Sequence, residues 1–228
     1  MKHLLQNIRI GVNEKIYLKD PETTALGKRI VENSIFLIDE IGFEHFTFKK
    51  LGLKIKSNES SIYRYFENKH KLLVYLTSWY WGWKEYQLVF ATNSISKSSD
   101  KLLKAVEIVT KTVQKDESFS HINEVMLYRI IINEASKSYL TKEVDIENKD
   151  GYFAVYKRLV IRIKDMIAEV SADYPFPFSL ASMIVDGALH QHFLKDHFTS
   201  ITDCSDKISV QDYYSDLVKR ILKIEIDE

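Results

Sequence analysis

Three observations predict an all-α protein. Apolar residues return at spacings of three and four along the chain, as in Leu72, Leu76, Trp79, Trp83, Tyr86 and Phe90, which is the period of a helix face. Only three prolines and seven glycines occur in 228 residues, too few for the turns of an all-β chain. Side chains suited to capping a helix, Asp20, Thr47, Asn58 and Asn68, stand just before periodic stretches, where their oxygens can satisfy the first free amides. An apolar share of 45% and a charged share of 28% are globular values. The length suits one or two domains with a sizeable core.

The elements follow in order. Residues 1–21 read as an N-terminal extension, 22–68 as a three-helix head and 69–228 as a helical body, with about nine helices in all. Within the extension, residues 1–19 read as a frayed arm. Lys2, Arg9, Lys15 and Lys19 are scattered along it, a weak pattern for an arm that enters a minor groove. Asp20-Pro21-Glu22 predicts the first helix start, with cap, proline and acid in sequence. That helix carries Val31, Ile35 and Ile38 inward, and Gly42 stops it. Thr47 caps a short helix bearing Phe48, Leu51 and Ile55, and Asn58 caps another bearing Ile62, Tyr65 and Phe66. Gly52 sits where these two must approach closely. Val31, Ile35, Ile38, Phe46, Phe48, Leu51, Ile55, Ile62 and Phe66 make the core of the head.

Asn68 caps the long fourth helix, which ends in the loop Asn93–Asp100. Leu102, Val106, Val109 and Val113 mark a fifth, His121–Lys137 a sixth, and Tyr152 to Val170 a seventh. Pro175 and Pro177 end that one, since neither can donate to a helix. Ser179–His197 is the eighth, and Val210, Tyr214, Leu217, Ile221 and Ile224 mark the ninth, from about Ser209 to Ile226. No internal repeat or low-complexity tract occurs.

Charge narrows the function. The formal net charge is zero, yet residues 42–71 hold seven lysines and arginines against three glutamates. One basic patch on a neutral chain points to a localised polyanion site. Within it, two short helices in helix-turn-helix spacing leave Glu59, Ser60, Ser61, Tyr63 and Arg64 facing outward, all able to touch base edges or phosphates. The single cysteine, Cys204, excludes an intrachain disulfide and a multi-cysteine zinc site. It reads as inert rather than redox-active, because no basic neighbour lowers its pKa. No signal core and no run near 18 apolar residues occurs, so a cytoplasmic protein with no membrane span is expected. An enzyme is disfavoured, because no nucleophile and base set appears. His190, His192 and His197 with Asp186 are the one metal-like cluster. They lack a Glu-x-x-His pair and suit a subunit interface better, so neither metal nor cofactor is expected. Trp79, Trp83 and Tyr86 line a ligand pocket or, at helical spacing, serve as core.

The runs IDEIGFEHFTFKKL, residues 38–51, and SSIYRYFENKHKLL, residues 60–73, resemble the tetracycline-repressor (TetR) family of one-component regulators. The resemblance covers roughly residues 22–76. The Tyr-x-Tyr-Phe run followed by Asn-Lys is far more specific than a generic helix-turn-helix. One departure is Lys56, which stands in the turn where that family generally has glycine.

The resemblance implies a regulator, in the sense of a repressor, that binds a near-palindromic double-stranded operator and is released by a small-molecule effector. It implies DNA contacts from Thr47, Lys49 and Lys50 at the start of one short helix and from Asn58, Glu59, Ser60, Ser61, Tyr63, Arg64, Tyr65 and Lys69 around the other. Tyr65 reads equally as core, and Glu59 also suits the positive end of its helix dipole. A homodimer through the eighth and ninth helices is implied as well. The competing readings are a helical interaction protein whose head no longer reads DNA and a helical metal-dependent enzyme.

Overall fold

The computed structural model describes residues 9–115, 119 and 121–225. Ten α-helices and four short 3-10 turns make up the regular structure of these residues, without a strand among them. They are α1 (Ala25–His45), α2 (Phe48–Lys54), α3 (Glu59–Tyr63), α4 (Lys69–Thr92), α5 (Ser98–Thr110), α6 (Glu124–Glu134), α7 (Val144–Lys149), α8 (Ala154–Val170), α9 (Pro177–His197) and α10 (Val210–Leu222). The chain divides into two compact units, 1–82 with 113–155, and 83–112 with 156–228.

The first unit contains α1 to α3. All nine residues expected in the head core, Val31, Ile35, Ile38, Phe46, Phe48, Leu51, Ile55, Ile62 and Phe66, are buried. Each contributes about 1.5–3 kcal/mol relative to exposure. The first helix begins later than Asp20 implies. Asp20 caps only the 3-10 turn Pro21–Thr23, while Thr24 caps α1 through the Gly27 amide at 3.0 Å. Gly42, expected to stop α1, interrupts it with φ of 75°. One more turn runs on to His45, and the Phe43 amide freed by the break donates to Glu134 Oε1 at 3.1 Å.

From Leu72 to Trp81 every side chain of α4 is buried, so this helix is enclosed on all sides in the first unit, as a helix without a polar face must be. Asn68 caps it through the Lys71 amide at 2.9 Å. The apolar stripe ends sooner than its spacing suggests, since Phe90 is largely exposed. The sixth helix is shorter than His121–Lys137, running as α6 and then as the 3-10 turn Ala135–Ser138. Its follower α7 is an element the periodicity did not reveal. Buried Glu147 anchors it, meeting His70 Nε2 at 2.9 Å and Lys71 Nζ at 3.5 Å.

Residues 9–19 are not a frayed arm. Ile10 and Ile16 are buried, and the Leu18 amide donates to the Tyr65 carbonyl at 2.8 Å. Residues 1–8, including Lys2, lie outside the described residues.

In the second unit α5, α9 and α10 pack together. Val210, Tyr214, Val218 and Leu222 face inward from α10, so the buried stripe steps by four, and Leu217 and Ile221 are left half-buried. This helix stops at Leu222 because Lys223 turns left-handed and the Ile224 amide bonds back to the Lys219 carbonyl at 2.9 Å, a Schellman close. Ile226 lies outside the described residues. Glu85 of α4 is gripped by two arginines of α8, Arg158 at 2.6 Å and Arg162 at 2.8 Å. Burial raises the pKa of Glu85, but the two arginine hydrogen bonds outweigh this and hold it below the usual carboxylate value.

The C-terminal turn of α5 receives two buried side chains. Lys84 Nζ donates to the Ile108 carbonyl at 2.9 Å, and His192 Nε2 lies 2.8 Å from the Thr110 carbonyl. His192 therefore faces away from His190 and His197, which are exposed. Burial, with a smaller push from Lys111, brings Lys84 down to about 7. Because this lies below the value of an unfolded lysine, the unfolded chain binds the extra proton between the two values, and stability rises with pH across that window. Relative to Lys84→Met, the wild-type protein is expected to gain about 1 kcal/mol per pH unit from pH 7.5 to 9.5. Urea denaturation of both proteins across that range checks it, and parallel curves would contradict it.

Candidate nucleic-acid interface

The site is built on a tight connection between α2 and α3. Thr47 caps α2 through the Lys50 amide at 3.2 Å, and Asn58 caps α3 through the Ser60 amide at 3.0 Å. Between them α2 closes in a Schellman motif, the Ser57 amide bonding to the Gly52 carbonyl at 2.9 Å and the Lys56 amide to the Leu53 carbonyl at 3.2 Å. This motif requires a left-handed residue after the cap, and Lys56 supplies it with φ of 52°. The turn is thus built as glycine would build it, with a lysine bearing the strain. Gly52 lies so close to the next segment that a β-carbon there would meet the Ser57 carbonyl oxygen at 2.9 Å. Arg29 of α1 donates to the Ile55 carbonyl and ties α1 to the turn.

Around this turn Thr47, Lys49, Lys50, Asn58, Ser60, Tyr63 and Arg64 are exposed, and Glu59 and Ser61 half-exposed. Tyr63 is 47% exposed and rests edge-on against Phe48, ring centres 5.0 Å apart. That contact braces the ring of a side chain that stays about half exposed. Lys49 and Arg64 make no ion pair among the described residues. Lys50 is partly engaged, its ammonium donating to the His45 carbonyl at 2.8 Å. Glu59 stands in the first turn of α3, where a carboxylate suits the dipole.

Two residues of the expected set have scaffold contacts. Tyr65 is 3% exposed and its hydroxyl shares a 2.7 Å hydrogen bond with Thr24, so it is a core residue of the head. Lys69 is half-buried, its ammonium donating to the carbonyls of Phe43 at 3.1 Å and Glu44 at 3.2 Å and lying 4.8 Å from the Phe43 ring centre. It neutralises the carbonyl end of α1. Sequence spacing marks both as near α3 but cannot say which way they point.

Of the aromatic residues weighed as ligand contacts, Trp79 is buried edge-on against Phe119 at 5.0 Å in the first unit. Trp83 is buried in the second unit, and Tyr86 there is half-buried and stacked on Phe90 at 6.2 Å. Both tryptophans have the environment of core residues. A cavity of about 410 Å³ in the second unit is lined by other residues, among them Gln191, Ile201, Cys204, Ile208 and Tyr213. Cys204 is buried. Asp186 accepts a 2.5 Å hydrogen bond from Tyr156. Among the described residues no group of three metal-ligating side chains converges, and no helix is long and apolar enough to cross a membrane.

A three-helix head whose third helix is short and capped, followed by a long helix and a helical remainder, is the fold of the solved TetR-type transcriptional regulators to which the chain is similar. The chain is similar to AibR, solved in complex with isovaleryl coenzyme A and operator DNA, with a TM-score of 0.57 and 16% identity over 85% of this chain and 97% of that one. It is similar to PfmR, a TetR family transcriptional regulator from Thermus thermophilus, with a TM-score of 0.52 and 13% identity over 87% of this chain and 100% of that one. The superantigen PfiT is also similar, with a TM-score of 0.59 and 16% identity over 91% and 100%. No family model matches the sequence, and no curated protein matches it either. Identities this low establish the fold, and function has to be argued from the site.

The turn makes opposite demands on its two special residues. Gly52→Ala is expected to lower stability by about 1–3 kcal/mol despite alanine's better helix propensity, because the contact is with backbone that cannot yield. Lys56→Gly is expected to raise it by roughly 0.5–1 kcal/mol, the relief of left-handed strain less the added freedom of the unfolded chain. Chemical denaturation of the two variants decides both signs.

Proposed function

We propose that this protein is a sequence-specific DNA-binding transcriptional regulator, acting as a homodimer on a near-palindromic operator. The observation that carries the proposal is the presentation of Tyr63 and Arg64. Both are exposed at the end of a short capped helix, beside the cations Lys49 and Lys50, with Phe48 behind the Tyr63 ring. An exposed phenol braced from below and flanked by cations suits the wall of a duplex groove. In this reading Thr47, Lys49 and Lys50 bind phosphates, and Asn58, Glu59, Ser60, Ser61, Tyr63 and Arg64 meet base edges and the adjoining backbone. The fold shared with AibR, whose structure contains operator DNA, supports the same use of the head.

The dimer would form through α9 and α10. Along α9, Met183, Asp186, His190 and His197 are exposed, and along α10 Tyr213 is exposed beside half-buried Leu217 and Ile221. A mixed apolar and polar surface on two neighbouring helices suits a second copy of the chain. Two heads then read half-sites about 34–36 Å apart. A small molecule bound in the body releases the operator only by preferring a head spacing that DNA does not.

Selection of bound sequences from a random duplex pool tests the proposal. It predicts enrichment of an inverted repeat, and a pool left unenriched overturns it. On the selected duplex, Tyr63→Ala is expected to weaken binding by roughly 1–3 kcal/mol. Lys49→Ala is expected to reduce the salt slope by about one, as the loss of one phosphate contact does. Titrations at several salt concentrations distinguish the two roles.

A further inference from the structure

We propose that residues Ile10–Lys19 are a strap that positions the recognition helix α3, and so sets how well the head discriminates between sequences without touching DNA. The inference rests on the reading of α3 as the element that enters the duplex. The strap is fastened at both ends and in the middle, always within the first unit. At its far end Ile10 is buried against Gly82 of α4, so closely that a β-carbon at position 82 would lie 2.5 Å from Ile10 Cγ2. The notch exists because residue 82 has no side chain.

In the middle, Asn13 caps the 3-10 turn Glu14–Ile16 through the Lys15 amide at 2.9 Å and donates its own amide to the Asp150 carbonyl at 3.0 Å. Lys15 pairs with Asp150 at 2.8 Å, and Tyr152 donates its hydroxyl to the Lys15 carbonyl at 3.1 Å. Here a second glycine makes room, since a β-carbon on Gly151 would meet Asn13 Nδ2 at 3.1 Å. Buried Ile16 and the edge-on contact of Tyr17 with Tyr75 of α4, ring centres 6.1 Å apart, hold the following turn.

The near end reaches α3. The Leu18 amide donates to the Tyr65 carbonyl at 2.8 Å, and the Lys19 ammonium lies 5.4 Å from the Tyr65 ring centre. Tyr65 is the residue whose amide closes α3 onto Ile62 at 2.8 Å. A five-residue helix is too short to hold itself in water. Its caps and the residue that ends it therefore decide its order, and the strap grips that residue by backbone, with its own anchor about 20 Å along α4.

The test compares full-length Ile10→Asp, the conservative Ile10→Val and a double-cysteine variant. In the last, Ile10→Cys and Gly82→Cys are combined with Cys204→Ser. The ideal Gly82 β-carbon stands 4.0 Å from that of Ile10, within the roughly 3.5–4.5 Å that a disulfide spans. Without DNA, amide exchange at Ile62–Phe66 is expected to rise about tenfold in Ile10→Asp while the amides of Ile30–Ile38 stay protected. Ile10→Val keeps the wild-type pattern, and the oxidised cysteine pair restores protection that reduction removes. With DNA, Ile10→Asp is expected to lose about tenfold in affinity for the selected duplex and little for a random one. Exchange that rises equally in α1, or equal losses on both duplexes, overturns the proposal. If the wild-type protein selects no duplex, the functional reading fails, and the exchange measurement still decides whether the strap orders α3.

Discussion

The close approach of Gly52 to the Ser57 carbonyl is the constraint on which the head depends. It fixes how near α2 can run to α3. The Schellman close, the strained Lys56 and the Asn58 cap then follow one another within four residues and fix the direction in which α3 leaves. Everything exposed on α3 takes its orientation from that turn. The strain at Lys56 is a local cost of about 1–2 kcal/mol, which the buried apolar residues on either side, Leu51, Ile55 and Ile62, readily outweigh. A lysine there also leaves a positive charge at the turn, which a glycine would not.

Helix α4 carries the second constraint. With Leu72 to Trp81 buried on every side, it has no surface on which to slide, and its neighbours in the first unit are locked to it by polar contacts as well as packing. His70 and Lys71 fasten α7 through Glu147, and Tyr75 joins Glu22 at 3.3 Å, where His121 also meets Glu22 at 2.8 Å. Burial raises the pKa of Glu22, but His121, with smaller contributions from Lys28 and Tyr75, outweighs it and holds the carboxyl below its usual value. The start of the head, the start of α4 and the segment before α6 are thus joined at one carboxylate.

The sequence made the head readable because its signals are local. Thr47, Asn58 and Asn68 cap the helices they precede, Gly52 sits at the close approach, and the inward residues of α1 to α3 are the apolar ones at helical spacing. What depends on partners distant in sequence stayed hidden. Tyr65 turns inward, where its hydroxyl shares a hydrogen bond with Thr24, 41 residues earlier. Lys69 turns to the end of α1, and α7 exists as a six-residue helix because His70 and Lys71 hold Glu147. Residues 9–19 lack a helical period, so nothing in their own pattern reveals the grooves at Gly82 and Gly151 that receive them. In α10 the inward stripe steps by four where an alternation of four and three was expected, a difference of rotation that only packing on α5 and α9 determines.

The central claim, that the exposed face ending in Tyr63 and Arg64 meets a duplex, is tested most directly by a photocrosslinking phenylalanine derivative placed at position 63. Irradiation with the selected duplex should join protein to DNA at one base step in each half-site, while the same group at exposed Phe90, outside both the head and the proposed dimer face, should give no adduct. A position 63 that fails to crosslink in a folded protein still bound to its duplex would contradict the account.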